Sequence, residues 1–475
     1  MIYKLLMHIL IIGAGRIGRS VAENLVNESN DITIVDQDGA RVSALETRLD
    51  LRGVVGNALS PSVLESAGAN DADMILAVTA NDETNMAVCL LASQLFNIPT
   101  RIARVRNQEL RQYPRLLAEE GFQITSTIWP EQALNESLLR LIEFPEALQI
   151  IDFAEGKAVL FCVRAVAGSP LVGRPIGDLA VHLPHVPARI VSVFRRNRRL
   201  AISSETVIES GDEVIALSSG RDVRRVISEL RHHEERMRRI MIAGNARLGV
   251  QLAKLLNGPE GRRGYTITIL DEDVDLCTSL AAIVPKDTEL VTAGLTDEEA
   301  LTELCIDRCD LFVSLSPHDE NNIMGALLAK KLGVRRVIAL TDSDTFSALM
   351  QGTQIDVTVS STQATIGELL RHVRRGDVLA AHSLRRGLAE ALEIVAHGNK
   401  RSSKVVGKRI GDIDLPEGVE IAALVRDTDN IEEPLVLIAQ RDVVVEPEDR
   451  VIVFVPNRRM IAQVEKLFAV DVGFF

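Results

Sequence analysis

Two stretches of this chain pass from an apolar run into a glycine turn and then into an amphipathic helix. Met7 to Gly18 reads M-H-I-L-I-I-G-A-G-R-I-G, and Arg239 to Gly249 reads R-I-M-I-A-G-N-A-R-L-G. The repetition continues past the turn. Thr33-Ile34-Val35-Asp36 returns as Thr268-Ile269-Leu270-Asp271, and Asp82-Glu83-Thr84-Asn85-Met86 returns as Asp319-Glu320-Asn321-Asn322-Ile323. A second kind of segment also recurs, Leu171 to Leu179 (L-V-G-R-P-I-G-D-L) matching Val405 to Ile413 (V-V-G-K-R-I-G-D-I) at nearly the same separation. The order is therefore A-B-A′-B′. A period this long means tandem domains rather than a solenoid, whose repeats run roughly 20 to 50 residues.

Within the first A unit the pattern alternates strand and helix. Ile9 to Ile12 reads as a buried strand, with Ile17, Val21 and Leu25 as the inner face of the helix after it. Further strands are expected at Ile32–Val35, up to Asn57, at Met74–Val78 and at Arg101–Val105, with helices at Pro61–Ala67 and Asn85–Phe96. Continuously apolar strands alternating with helices imply a parallel sheet covered on both faces. The expected class is α/β: two Rossmann-like, doubly wound parallel-sheet domains, each followed by a small α+β domain.

The glycines have separate tasks. Gly13 permits the tight turn, Gly15 lets backbone approach a pyrophosphate, and Gly18 lets the helix pack close to the strand. An anion would then rest on free N–H groups at the helix N-terminus, aided by the helix dipole. Asp36 ends the second strand near the roughly 20-residue separation at which a carboxylate accepts hydrogen bonds from ribose hydroxyls. It would repel a 2′-phosphate, which favours NAD over NADP; the competing reading is that Asp36 caps a helix starting near Gly39. Thr79 and Ala80 follow the fourth strand, at the carboxyl edge where open α/β sheets bind ligands. Asp82, Glu83 and Asn85 fit either helix capping or function. Arg104 falls in the fifth strand, where a buried guanidinium needs a partner that a dinucleotide phosphate would supply.

The second copy keeps Gly244 and Asp271 but places Ala246 where the first has Gly15, putting a methyl in the path of the phosphates. Ala339 or Leu340 falls at the position of Arg104. The second site is expected to bind less well.

With 475 residues, 46% of them hydrophobic, each unit can bury its own core. The formal charge of −13 argues against binding nucleic acid or an anionic membrane by charge alone. The Arg-rich stretch from Arg221 to Arg239 is broken by Asp222, Glu229, Glu234 and Glu235 and reads as a solvated helix and linker. No run reaches the length of a membrane span, and Ile2 to Ile12 reads as a first strand rather than a secretory signal. Cys89, Cys162, Cys277, Cys305 and Cys309 lack paired ligand spacing and fit a reducing compartment; Cys305 and Cys309 could share a helix face.

Acid/base chemistry on this scaffold would need a His with a carboxylate, or a Tyr with Lys four residues on. Tyr3, Tyr113 and Tyr265 have no such lysine, and His182, His185, His232 and His233 are explained by surface placement. The B units read as β-rich, with strands at Val159–Val166, Arg189–Phe194 and Glu213–Leu217, and a turn with a short helix at Leu171–Leu179. Between A and B lie amphipathic helices at Glu131–Leu141 and Gln363–Val373. Such a helix either packs on its own domain or carries exchanged contacts to a neighbouring unit.

Taken with G-A-G-R-I-G, the segment Asn30 to Asp36 (N-D-I-T-I-V-D), T-A-N-D-E-T-N-M, R-I-A-R-V and S-L-R-R-G-L-A-E-A (Ser383 to Ala391), this order resembles the TrkA family. Those are peripheral NAD-binding subunits of bacterial Trk potassium uptake systems, built from regulator-of-potassium-conductance (RCK) domains. The resemblance covers nearly the whole chain from Met7, the expected natural start. It implies nucleotide-binding domains at 7–128 and 238–360, crossover helices at 129–145 and 361–378, and small C-terminal domains at 146–232 and 379–475. It further implies a non-enzymatic cytoplasmic protein on the inner face of the membrane. Homo-oligomeric rings, as a tetramer of tandem chains, would gate a membrane-embedded Trk-type potassium channel or transporter as nucleotide binds. The NAD (NADH) site carries over to Gly13, Ala14, Gly15, Arg16, Ile17, Asp36, Thr79, Ala80 and Arg104. The second site carries over to Gly244, Asn245, Ala246, Arg247, Leu248 and Asp271. An ATP- or ADP-sensing ring of the same fold stays open, as does, more remotely, an NAD-dependent oxidoreductase.

Overall fold

The structure, a computed structural model, describes residues 7–470 apart from 27–29, 119, 197, 235–236, 259–263, 351–352, 374–377, 385–387 and 428–434. The first half opens with β1 (His8–Ile12), α1 (Arg16–Leu25), β2 (Asp31–Asp36), α2 (Gly39–Arg48), β3 (Arg52–Val55), α3 (Pro61–Ser66), β4 (Met74–Ala77), α4 (Asp82–Phe96), β5 (Thr100–Arg104), α5 (Pro114–Leu117) and β6 (Ser126–Ile128). These strands form one parallel sheet in the order β3-β2-β1-β4-β5-β6. The order reverses between β1 and β4, so a crevice opens at their carboxyl ends. Leu10 and Ile12 on one face of β1 pack with Ile75, Ala77 and the Val88, Cys89 and Ala92 side of α4. The sequence pattern missed β6, which at three residues is too short to show a period.

Helix α6 (Pro130–Glu143) leads to β7 (Ala147–Phe153), β8 (Ala158–Arg164), α7 (Asp178–His182), β9 (Ala188–Arg195), β10 (Arg198–Arg199), β11 (Glu213–Ser219) and α8 (Val223–Leu230). Their antiparallel sheet has the order β10-β9-β11-β8-β7.

The second half repeats the plan with β12 (Arg239–Ala243), α9 (Ala246–Asn257), β13 (Thr266–Asp271), α10 (Val274–Leu280), β14 (Thr288–Thr292), α11 (Glu298–Glu303), β15 (Leu311–Ser314), α12 (Asp319–Lys331), β16 (Arg336–Leu340), α13 (Asp344–Leu349) and β17 (Val357–Val359). After α14 (Ser361–Val373) come β18 (Val378–Leu384), β19 (Ala389–Val395), β20 (Glu420–Arg426), β21 (Leu435–Ile438), β22 (Arg450–Val455) and α15 (Ile461–Phe468). The parallel sheet is β14-β13-β12-β15-β16-β17 and the antiparallel one β18-β19-β22-β20-β21, strand for strand the topologies of the first half.

The chain divides into two compact units. One holds the first parallel sheet with residues 362–373 of α14 and residues 457–462; the other holds the second parallel sheet, both antiparallel sheets and α6 from Leu134 onward. The crossover helices are thus exchanged between the halves. Leu134, Leu138, Leu141 and Ile142 of α6 are buried in one cluster with Ile242, Leu252 and Ile267 of the second half. Each fully buried leucine contributes roughly 1.5–3 kcal/mol, so the apolar stripe of α6 selects this seat. In turn, α14 buries Ile366 and Leu369 completely in the unit of the first sheet.

The antiparallel sheets owe their burial to alternation. Val159, Phe161 and Val163 of β8 turn toward α8, in a cluster with Val223, Val226 and Leu230. Ala158, Leu160 and Cys162 turn the other way and share a core with Leu384, Ala391, Val425 and Phe454 of the second antiparallel sheet. The Arg-rich stretch, expected as a solvated helix and linker, does hold a helix: α8 leaves Arg224 and Arg225 exposed and buries its apolar face. One expectation changes. Cys305 and Cys309 share no helix face, because α11 ends at Glu303 and Cys305, at φ 56°, begins a separate 3-10 turn. Among the described residues, no group of three or more His, Cys, Asp or Glu is arranged to hold a metal ion, and no helix is long and apolar enough to cross a membrane.

Candidate functional site

The first cleft is built where β1 ends. Gly13 has φ +106°, and a Cβ there would lie 3.1 Å from the backbone of Thr79. A Cβ on Gly18 would lie 1.8 Å from the carbonyl oxygen of Gly13, so only glycine lets α1 start this close to its strand. A Cβ on Gly15 would meet nothing within 4 Å. Gly15 is the N-cap of α1 and brings no side chain to its N–H groups. The positive end of the helix is therefore open to an anion.

Asp36 closes the turn from the next strand. Its Oδ2 accepts the N–H of Ala14 at 2.6 Å and its Oδ1 the N–H of Asp38 at 2.8 Å. The cap of α2 is Asp38, which accepts from Ala40 and Arg41, so Asp36 has no capping duty. Across the crevice, Thr79 sits at the end of β4 and is held by Asn85. Oδ1 of Asn85 accepts the Thr79 N–H at 2.9 Å and lies 2.7 Å from its hydroxyl. Nδ2 of Asn85 donates to the carbonyls of Thr79, at 3.2 Å, and of Arg104, at 2.9 Å. The α4 cap is Asn81, accepting from Thr84, while Asp82 accepts the N–H groups of Arg106 and Asn107 at 2.8 and 2.9 Å. Asn85 and Asp82 therefore brace the cleft, and Glu83 lies exposed in the first helical turn.

The guanidinium of Arg104 is half-buried, and its buried Nε has no hydrogen-bond partner. Burial holds it below its usual pKa, Arg106 and Arg16 push the same way, and Asp82 and Glu131 oppose them. Arg106 was not foreseen; it donates to the Ala80 carbonyl and approaches Asp82. Its signal was available, since it lies two residues beyond Arg104 as the chain leaves β5.

The second cleft differs in ways the sequence did not settle. Helix α9 starts one residue earlier in its turn than α1, with Asn245 as N-cap. The Asn245 side chain accepts the Leu248 N–H at 3.1 Å, and Asp271 accepts the Ala246 N–H at 2.6 Å. Ala246 is fully buried. Its methyl is thus turned into the protein, contrary to the expectation that it would stand in the path of the phosphates; at this turn Asp271 and Asn245 hold the N–H groups of Ala246 and Leu248. Gly244 keeps its left-handed φ of +91°, Arg247 is exposed and Leu248 buried. Asn322 repeats the Asn85 pattern on Ser316 and on the carbonyl of Leu340. That makes Leu340, not Ala339, the counterpart of Arg104.

The matches to known proteins fall on the same elements. TrkA-N domain models match residues 9–123 and 240–361, and TrkA-C domain models match 160–231 and 400–469. The Trk system potassium uptake protein TrkA of Halomonas elongata is 45% identical over 99% of this chain and 100% of its own length. The chain belongs to the TrkA family. The TrkA protein of Vibrio alginolyticus is 43% identical over 97% of this chain and 98% of its own. Among solved structures, the GsuK RCK domain superposes with a TM-score of 0.59 at 19% identity, covering 98% of this chain and 96% of that one. The GsuK channel bound to NAD gives 0.58 at 17% identity, over 98% and 80%. These two likenesses establish the fold: tandem Rossmann-like domains alternating with RCK-type C-terminal domains.

Proposed function

We propose that this TrkA-family chain is a nucleotide-sensing regulatory subunit of a potassium uptake system. It binds NAD or NADH in the first parallel-sheet domain and catalyses no reaction itself. The carrying observation is the Arg104 guanidinium, half-buried with an unpartnered Nε, in a cleft where the α1 N-cap is Gly15, which brings no side chain. Such a guanidinium calls for an anion, and a pyrophosphate would meet it together with the α1 N–H groups of Arg16 and Ile17. Each oxygen of Asp36 already accepts one backbone N–H and retains capacity for a ribose hydroxyl, while its charge disfavours a 2′-phosphate. Thr79 and Ala80 line the opposite rim. Membership of the family, with 45% identity to a potassium uptake protein, supports the transport role.

On this reading the subunit is cytoplasmic and peripheral, assembles as a homo-oligomeric ring of tandem chains, and regulates a membrane-embedded Trk-type partner. Occupancy moves the partner only by the ligand's difference in affinity for two ring states, typically about 1–3 kcal/mol per effector. ATP or ADP would use the same phosphate contacts and is the second reading. Calorimetric titration with NADH, NAD, ATP and ADP separates them. Tight NAD(H) binding that Asp36→Arg abolishes without unfolding the protein is the expected outcome. Unchanged affinity in Asp36→Arg would overturn the site, and preference for ATP or ADP would replace the signal.

A further inference from the structure

The polar group that ties the first cleft together is out of reach of any ligand. Asn85 is completely buried, and its side chain faces four partners: the N–H, hydroxyl and carbonyl of Thr79, and the carbonyl of Arg104. An amide offers two acceptor sites and two donors, so its capacity is spent within the protein. Both strand ends it joins carry residues of the proposed site, Thr79 after β4 and Arg104 at the end of β5.

The second half provides an internal control. Asn322 is also completely buried; its Oδ1 accepts the Ser316 N–H at 2.7 Å, and its Nδ2 donates to the carbonyls of Ser316 at 2.7 Å and Leu340 at 3.0 Å. The brace therefore forms whether the second strand end carries an arginine or a leucine. It fixes backbone, and the side chain mounted on that backbone decides what the cleft can bind.

We propose that Asn85 is the positioning residue of the first cleft, locking the backbone of Arg104 to the Thr79 loop so that the guanidinium is set for the phosphates of the ligand. The inference rests on the dinucleotide-binding reading above. Without the brace, the β4–β5 pairing ends at Ala77 and Ala103, and the backbone of Arg104 beyond it is held less tightly to the Thr79 loop. Arg104 then has to be ordered when the ligand arrives, at a cost in affinity.

The test is a double-mutant cycle on the full chain, with NADH affinity as the readout and thermal unfolding as the check on folding. Asn85→Asp keeps the shape of the side chain but loses both donations, and should weaken NADH about 10-fold, the upper end of what one neutral hydrogen bond contributes. Because Asn85 acts through Arg104, adding Asn85→Asp to Arg104→Leu should cost little beyond Arg104→Leu alone. Asn322→Asp removes the equivalent brace from the other half and should leave NADH affinity at the first cleft unchanged. If Asn85→Asp does not fold, Asn85→Ser takes its place in the cycle. Additive losses would overturn the proposal, as would a folded Asn85 variant of unchanged affinity or an equal loss from Asn322→Asp. Failure of the wild-type chain to bind any dinucleotide would instead remove the functional reading itself, and is seen before a variant is made.

Discussion

Two glycines three residues apart divide structure from function in the first turn. At Gly18 a methyl would lie 1.8 Å from a backbone oxygen that cannot withdraw, whereas at Gly15 it would enter open space. Gly18→Ala is therefore expected to lower the unfolding temperature sharply. Gly15→Ala should cost far less, about 1 kcal/mol or less because alanine is a poorer N-cap than glycine, yet weaken NADH. Equal thermal shifts in the two variants would contradict this division. The spacing of Gly13, Gly15 and Asp36 was legible in the sequence because strand, turn and helix are local. The duties of Arg106, Asn85 and Asn245 were not, because their partners lie on other strands or depend on which residue begins a helix. Ala246 shows the limit: its identity is plain in the chain, but its burial depends on α9 starting one residue early.

At the scale of elements, strand and helix order followed the apolar periodicity, and the failures were short or irregular pieces. Strand β7 escaped notice where its register shifts between Ala147 and Gln149, and β10 has only two residues. The amphipathic stripe of α6 announced a helix without naming its seat, since any apolar groove of the right width satisfies the same stripe. That seat is the second parallel-sheet domain. Leu138→Ala, which empties a fully buried position there, should cost about 2–5 kcal/mol. Domain-resolved hydrogen exchange should place the loss in β12 to β17 rather than in β1 to β6. Loss of protection confined to the first sheet would contradict the exchanged packing.

For the whole molecule, the two antiparallel sheets share one core, and a buried carboxyl crosses between them. Glu393 accepts the Ala154 N–H at 3.1 Å and lies 3.6 Å from Arg450. Burial holds this carboxyl above its usual range, against the pull of the Ala154 N–H and Arg450. A carboxyl whose folded pKa is raised gives its full contribution below the unfolded pKa and loses it as pH rises through the folded value. Glu393→Gln should therefore unfold at a higher temperature than wild type at about pH 7 to 8, with the advantage gone below about pH 4, where the unfolded carboxyl is protonated too. The same advantage at both pH values would assign the effect to packing instead of charge. The duplicated plan, the parallel and antiparallel sheets and the glycine turns were determined by the sequence alone, because they rest on periodicity and on backbone freedom within a few residues. The exchange of α6 and α14, the Asn85 brace, the self-capped second helix and the buried Glu393 were decided only by tertiary structure, because each depends on which distant surface a side chain meets, and local chemistry leaves that choice open.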